Sequence, residues 1–425
     1  MGIKHRLTLM NFLEFFIWGA WLITIGNYWF YNKGWDATEF GIIFSTMGIA
    51  SLFMPALMGM VADRWINAER LFAILHICTG LAMFIIPQIN TPYAFFWGIL
   101  VAMIFYMPTI ALANSIAYTV LKNNGQDVIK AFPPIRVWGT VGFIAAMWLV
   151  NLSGNKASEN QFYISGIAAI LLGLYSFTLP KCPPQASVST EKKSLVQILG
   201  LDAFRLFKDK RMFIFFMFAM ALGAALQLTN AYGDAFLNHF GTIKDELGTL
   251  VYEHSFVIKY STIIMSISQI SETLFILAIP FFMKRFGIKN VMIISMLAWA
   301  LRFALFGFGN PTDGLWMIIL SCIIYGMAFD FFNISGSLFV ETTVDSSMRS
   351  SGQGLFMMMT NGFGAITGSL VSGYAISRFF TLPCGTKDWQ GIWFSFAIYA
   401  VIVMIAFIFL FKHKHDPKQA MEVKH

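Results

Sequence analysis

The segment D-W-Q-G-I-W-F-S-F-A-I-Y-A-V-I-V-M-I-A-F-I-F-L-F (388–411) carries no charge after Asp388. As an α-helix rising about 1.5 Å per residue, it outspans the roughly 30 Å of hydrocarbon in a bilayer. A soluble core has no use for so long an unbroken apolar surface, so this stretch reads as a membrane span. Similar runs recur backwards along the chain. We place spans at about 7–31, 38–62, 70–88, 92–121, 132–151, 161–180, 211–236, 256–283, 288–308, 314–340, 351–376 and 388–411. The composition agrees: 57% of the 425 residues are apolar, only 12% are charged, and mean hydropathy is +0.67. The fold class expected is an all-α membrane protein with twelve transmembrane helices.

The net charge of +7 could point to nucleic acid, but its placement argues otherwise. Most of the 29 Lys and Arg fall in loops on the side of the N-terminus, so the surplus is a topology signal that puts both termini in the cytoplasm. No nucleic-acid partner is expected. The first apolar run continues to about Phe30 without a small-residue cleavage site, which reads as an uncleaved span. Arg6 breaks the myristoylation pattern. The cysteines Cys78, Cys182, Cys322 and Cys384 are scattered, and only Cys384 falls clearly outside, so no disulfide framework is readable. No metal-ligand spacing, phosphate loop or nucleophile elbow stands in a supporting context. No cofactor and no enzyme activity are expected.

The longest cytoplasmic connection, 181–210, contains P-K-C-P-P, the polar run Gln185 to Lys193, and Arg205, Lys208 and Lys210. It divides the chain into an N-terminal six-helix bundle (1–180) and a C-terminal one (211–412), followed by a cytoplasmic tail (413–425) that holds His415. Two such halves suit parallel repeats that rock about a central site.

Polar residues within the spans carry the functional information, because a charge in hydrocarbon costs at least about 2.5–3.5 kcal/mol and needs a partner or water. Span 5 follows Phe132-Pro133-Pro134, a proline pair expected ahead of the helix, and places Arg136, Thr140 and Phe143 on one face. Gln227 and Asn230 in span 7, and Gln269 and Glu272 in span 8, are each three residues apart and share a face. Span 10 carries Tyr325, Phe329 and Asp330, with Asn333 one turn on. Together they make a hydrogen-bonding set with aromatic walls, suited to the edges and faces of a heterocycle and to sugar hydroxyls. The competing use of such residues is to join helices by hydrogen bonds. Glu14, about two turns from Lys4 and Arg6, is expected to snorkel or pair with them. Arg302 is expected to have a structural partner.

Two loops echo each other: G-M-V-A-D-R (59–64) after span 2 and K-R-F-G-I-K (284–289) after span 8. They resemble the front and back halves of the loop motif G-x-x-x-D-R-x-G-x-R-R of the major facilitator superfamily. Longer strings are more specific: F-M-P-A-L-M-G-M-V-A-D (53–63), F-P-P-I-R-V-W-G-T-V-G-F (132–143), L-G-L-D-A-F-R-L-F-K-D-K-R-M (199–212), I-M-S-I-S-Q-I-S-E-T-L-F-I-L (264–277) and Y-G-M-A-F-D-F-F-N-I-S-G-S (325–337). They resemble the bacterial nucleoside:proton symporter family of that superfamily over nearly the whole chain.

The resemblance implies import of purine and pyrimidine nucleosides across the bacterial inner membrane by proton symport with alternating access, in a monomer. It implies a nucleoside site at Arg136, Thr140, Phe143, Gln227, Asn230, Gln269, Glu272, Tyr325, Phe329 and Asp330. Arg136 stays protonated, whereas Asp330 and Glu272 can each be ionised or neutral, which makes them the candidate proton carriers, Asp330 foremost. The competing reading is a proton-coupled importer of another polar solute, such as a sugar or oligosaccharide.

Overall fold

The computed structural model describes residues 2–184, 201–252, 254–345, 348–383 and 385–413. Cys384, the polar run Gln185 to Lys193 and the tail beyond residue 413, with His415, lie outside the described residues. Without water, a backbone must satisfy its own hydrogen bonds, so apolar runs become helices. They are α1 (Ile3–Gly19), α2 (Ala37–Arg64), α3 (Ala68–Ile85), α4 (Pro92–Asn123), α5 (Val128–Leu152), α6 (Asn160–Ser176), α7 (Lys210–His239), α8 (Ser261–Phe308), α9 (Leu315–Thr343), α10 (Arg349–Met357), α11 (Ala365–Phe379) and α12 (Trp389–Leu410). Among the described residues there is no strand, only two isolated bridges, Lys244 with Leu250 and Thr381 with Lys387.

Several ends are set by the sequence. Thr91 accepts a bond from the Ala94 amide ahead of Pro92, which opens α4. Asp209 caps the amides of Arg211 and Met212 at the start of α7, and Asp388 caps Gly391 in α12. The proline pair does not precede α5. The helix begins at Val128, so Pro133 and Pro134 sit inside it and remove two backbone donors from its second turn.

Nine helices among the described residues are long and apolar enough to cross a membrane. The difference from twelve expected spans has identifiable sources. α1 and α6 have 17 residues each. α8 has 48 residues and would be about 72 Å long if straight, over twice the hydrocarbon thickness. It breaks at Gly287 (φ 75°, ψ 168°), a backbone conformation that L side chains rarely adopt, inside the loop expected between spans 8 and 9. α10 runs through a π-helical stretch, Met358–Gly364, into α11.

The chain forms two compact units: Met1–Trp35 with Ile42–Gly200, and Asp36–Gly41 with Leu201–His425. The first turn of α2 therefore groups with the second unit. Within each unit, glycines allow helices to meet backbone to backbone. In the first unit, a Cβ on Gly142 of α5 would lie 2.0 Å from the Phe12 carbonyl oxygen of α1, and one on Gly19 would lie 2.4 Å from that of Phe143. In the second, a Cβ on Gly223 of α7 would lie 2.1 Å from the Thr360 carbonyl, and one on Gly368 of α11 would lie 2.6 Å from the Ala224 Cα. First-with-fifth packing through small residues thus occurs in both units, where lipid offers no hydrophobic drive and close contact must hold helices together.

Beyond α6 the chain is clasped to the start of α3. The Cys182 amide donates to Glu69 Oε2 (2.8 Å), Asn67 Nδ2 donates to Glu69 Oε1 (3.1 Å), and the Ala68 amide donates to the Cys182 carbonyl (3.0 Å). Burial, with the Glu69 charge adding to it, pushes the Cys182 thiol up to about 12, so it stays an unreactive thiol.

Candidate functional site

In the first unit, Arg136, Thr140 and Phe143 share a face of α5, interleaved with Gly139 and Gly142. A Cβ on Gly139 would meet the Phe15 ring at 2.6 Å and Arg136 Nη1 at 2.7 Å, so the glycine makes room for the guanidinium. That group lies 4.0 Å from the Phe15 ring centroid, a cation–π arrangement that fixes its direction. The Phe143 backbone sits against Gly19, while Arg136 and Thr140 stay half-buried.

The second unit holds the other seven residues. α9 approaches α8 through Gly326, whose absent Cβ would lie 2.6 Å from the Ser271 backbone and 2.7 Å from the Glu272 amide. Ser271 Oγ donates to the Ile323 carbonyl across the same crossing. This contact brings Glu272 within electrostatic reach of Tyr325 and Asp330. The Tyr325 and Phe329 rings stack at 5.9 Å, 7° from parallel, with Trp299 edge-on to Tyr325 at 5.9 Å. Asp330 is 4% exposed and its Oδ2 is buried without a hydrogen-bond partner, as is Gln269 Oε1. Gln227 and Asn230 are half-buried on α7, and among the described residues no hydrogen bond joins them to the rest of the set.

Arg302, fully buried, braces this group from behind. Its guanidinium donates to the Ser321 carbonyl (2.6 Å) and to the hydroxyls of Ser268 and Thr229 (3.4 Å each), and lies 4.7 Å from the Tyr325 ring centroid. It ties α7, α9 and both arms of α8, the structural role expected of it. Arg302→Met keeps the bulk but leaves those hydroxyls short of a donor. A loss of about 1–3 kcal/mol in stability is expected, read as a lower midpoint in a thermal melt of detergent-solubilised protein. An unchanged melt would sink that account.

A pocket of about 280 Å³, counting its open mouth, lies in the second unit, lined by Leu222, Trp299, Phe329, Asn333, Thr360 and Asn361 among others. Of the ten residues singled out in the sequence, only Phe329 lines it. Asn361 belongs to the π-helical stretch, where the extra residue per turn pushes a side chain out of register. Its signal was an amide within an otherwise apolar and small run, M-M-M-T-N-G-F-G (357–364).

Glu14 neither snorkels nor pairs with Lys4 or Arg6. The Arg6 guanidinium donates instead to the Thr178 carbonyl beyond α6. Glu14 is fully buried, with Oε2 2.7 Å from His76 Nε2 on α3 and Oε1 accepting from Thr109 Oγ1 on α4 at 2.7 Å. The Tyr106 hydroxyl donates to the Glu14 carbonyl at 2.8 Å. The sequence reading missed His76, although it is the one histidine of seven that falls in an expected span. Among the described residues, no three His, Cys, Asp or Glu side chains are grouped to hold a metal ion.

Comparison with known proteins adds the chemistry. The family described as nucleoside H+ symporter matches residues 1–416. The nucleoside permease NupG of Escherichia coli (strain K12) is 50% identical over 416 residues, spanning 98% of this chain and 97% of that protein. The xanthosine permease of the same strain is 49% identical over 426 residues, spanning 100% and 99%. A crystal structure of the nucleoside transporter NupG superposes with a TM-score of 0.89 at 49% identity, covering 97% of this chain and all of that one.

Proposed function

Because the chain belongs to the nucleoside H+ symporter family, and is thus a multi-pass transporter that couples nucleoside uptake to protons, we propose that its nucleoside is held by the ten residues described above. Gln227, Asn230, Gln269 and Glu272 hydrogen-bond the base edges and ribose hydroxyls. Tyr325, Phe329 and Phe143 supply ring faces, and Arg136 and Thr140 supply donors. Asp330 carries the coupling proton.

The observation that carries this reading is the Gly326 crossing. It sets Glu272 beside a stacked aromatic pair and a buried Asp330 whose Oδ2 has no partner. Two carboxylates within reach of each other in a low-dielectric interior make the doubly ionised state costly, so the pair favours holding a proton. Taking it up from outside removes one of the two negative charges and favours the loaded, closed form. Losing it inside restores the charge and favours return.

We further propose twelve crossings. α8 contributes two, either side of Gly287, and α1 and α6 each cross with the help of flanking residues. Residues 1–180 and 211–412 form the alternating bundles, joined by the 181–210 linker, with both termini cytoplasmic, in a monomer of the bacterial inner membrane. Both purine and pyrimidine nucleosides are substrates, with no further cofactor.

The test is uptake of radiolabelled uridine and adenosine into proteoliposomes under an acid-outside pH gradient, a sodium gradient, or neither. Accumulation of both nucleosides under the pH gradient alone is expected. Accumulation driven by sodium alone, or of neither nucleoside, would overturn the proposal.

A further inference from the structure

We propose that Glu14 and His76 form a second proton-binding site, in the first unit, whose protonation strengthens nucleoside binding through Arg136. This rests on the reading of the protein as a proton-coupled nucleoside transporter, and adds to it a proton that Asp330 does not carry.

The pair is a costly thing to build. Both side chains are wholly buried and 2.7 Å apart. An acid and a base at such depth mark a functional group by default. Thr109 Oγ1 lies 2.7 Å from the second carboxylate oxygen and 2.6 Å from the Tyr106 carbonyl, and Phe72 packs edge-on against the imidazole at 4.4 Å. His76 Nδ1 is buried and lacks a partner. With Nε2–H donating to the carboxylate and Nδ1 bare, the pair bears one negative charge. Adding one proton, on Nδ1 or on the carboxylate, makes it neutral overall. Nδ1 lacks a partner in either state, so the hydrogen bonds around the pair lock in neither.

The charged and titratable groups that face the pair are few. From α4 comes Tyr106, bonded to the Glu14 carbonyl and within electrostatic reach of both Glu14 and Arg136. From α5 comes Arg136, held over the ring of Phe15, the residue next to Glu14. α6 turns Gly166 and Gly173 towards α3 and gives Ser165 Oγ to the Ile17 carbonyl. Its two tyrosines are engaged elsewhere, Tyr163 with Gln88 and Tyr175 with the Arg6 carbonyl. On α1, Arg6 is taken by Thr178, and on α3, Glu69 is taken by the Cys182 amide. Arg136, which acts on Tyr106 together with Glu14, is the cation that senses the state of the pair. A negative pair draws the guanidinium towards Phe15 and Tyr106. A neutral pair loosens that hold and lets it donate to a nucleoside, so affinity rises as pH falls.

The test measures uridine binding to the purified full chain between about pH 5 and 8, the range where an imidazole can change state. It uses the Asp330→Asn background, from which the carrier proton has been removed. Affinity should still rise towards low pH, by up to about tenfold per pH unit for one linked proton, and Glu14→Gln added to that background should flatten the profile. Thr109→Val, which removes a hydrogen bond but nothing that titrates, should leave the slope in place.

A flat profile in Asp330→Asn alone overturns the site. So does a slope that survives Glu14→Gln and disappears with Glu272→Gln. If Glu14→Gln does not fold, His76→Gln serves in its place, and an unchanged slope and midpoint there overturn the proposal. Wild-type accumulation under the acid-outside gradient is measured alongside. Its absence overturns the transport reading, whereas accumulation together with a flat Asp330→Asn profile overturns the second site alone.

Discussion

Replacing Asp330 by Asn is expected to abolish uphill accumulation of nucleoside and to spare exchange of nucleoside across the membrane. The amide has nearly the shape of the acid and cannot release a proton, so it imitates the protonated form permanently. Stacking by Tyr325 and Phe329 is unchanged, and Glu272 loses a like charge it had to tolerate. The carrier then returns empty as readily as loaded, and the proton carried at Asp330 no longer drives accumulation. One coupled proton and a gradient of one pH unit amount to about 1.4 kcal/mol, or up to about tenfold accumulation. In the variant the inside-to-outside ratio should fall to that of simple equilibration. Counterflow in preloaded proteoliposomes separates the outcomes. Loss of both activities would leave Asp330 a binding role without the carrier role, and intact accumulation would move the carrier elsewhere.

The second large effect expected is on assembly. Gly142→Ala adds one methyl group where a Cβ would stand 2.0 Å from the Phe12 carbonyl oxygen and 2.8 Å from its carbon. The obstacle is backbone on a neighbouring helix, with no rotamer to yield, so α1 and α5 must part along their length. Overpacking costs typically about 1–3 kcal/mol where side chains can adjust, and more is expected where they cannot. The separation also moves Phe143 off Gly19 and Arg136 off Phe15. Gly142→Ala should therefore reach the membrane in low yield, melt well below wild type and bind nucleoside poorly. Gly59→Ala is the control, since nothing lies within 4 Å of a Cβ there. A Gly142→Ala protein with wild-type melting and uptake would sink the close-packing account.

How much of this was legible in the sequence follows from what hydrocarbon enforces. A span has to be long and apolar, so α2, α4, α7 and α12 are readable from 18-residue windows. Their ends are less so. Lys284 and Arg285 suggest a loop, yet the backbone stays helical up to Gly287. Pro133 and Pro134 suggest a helix start, yet α5 tolerates both in its second turn. Among site candidates, spacing placed Gln269 with Glu272 and Tyr325 with Phe329 on common faces, a property of a single helix.

The sequence could not show which faces meet. Glu272 comes near Tyr325 because Gly326 lacks a Cβ, and glycines are too frequent in this chain for one to be singled out. Glu14 was assigned to its sequence neighbours, whereas its partner His76 is 62 residues away on another helix. Proximity in the chain was the wrong guide there, because a buried carboxylate takes the nearest donor in space.

The break in α8 also bears on how the topology can be mapped. A turn between two spans commonly offers several residues of pliable chain, the kind of site where insertions and protease nicks are tolerated. At Gly287 a single non-helical residue separates two helical arms. An epitope tag or a reporter fusion placed between Lys284 and Lys289 would have to be built into a helix, and a protease would find no extended strand to grip. Silence from such a probe reports the stiffness of that junction and says nothing of the side of the membrane on which it lies.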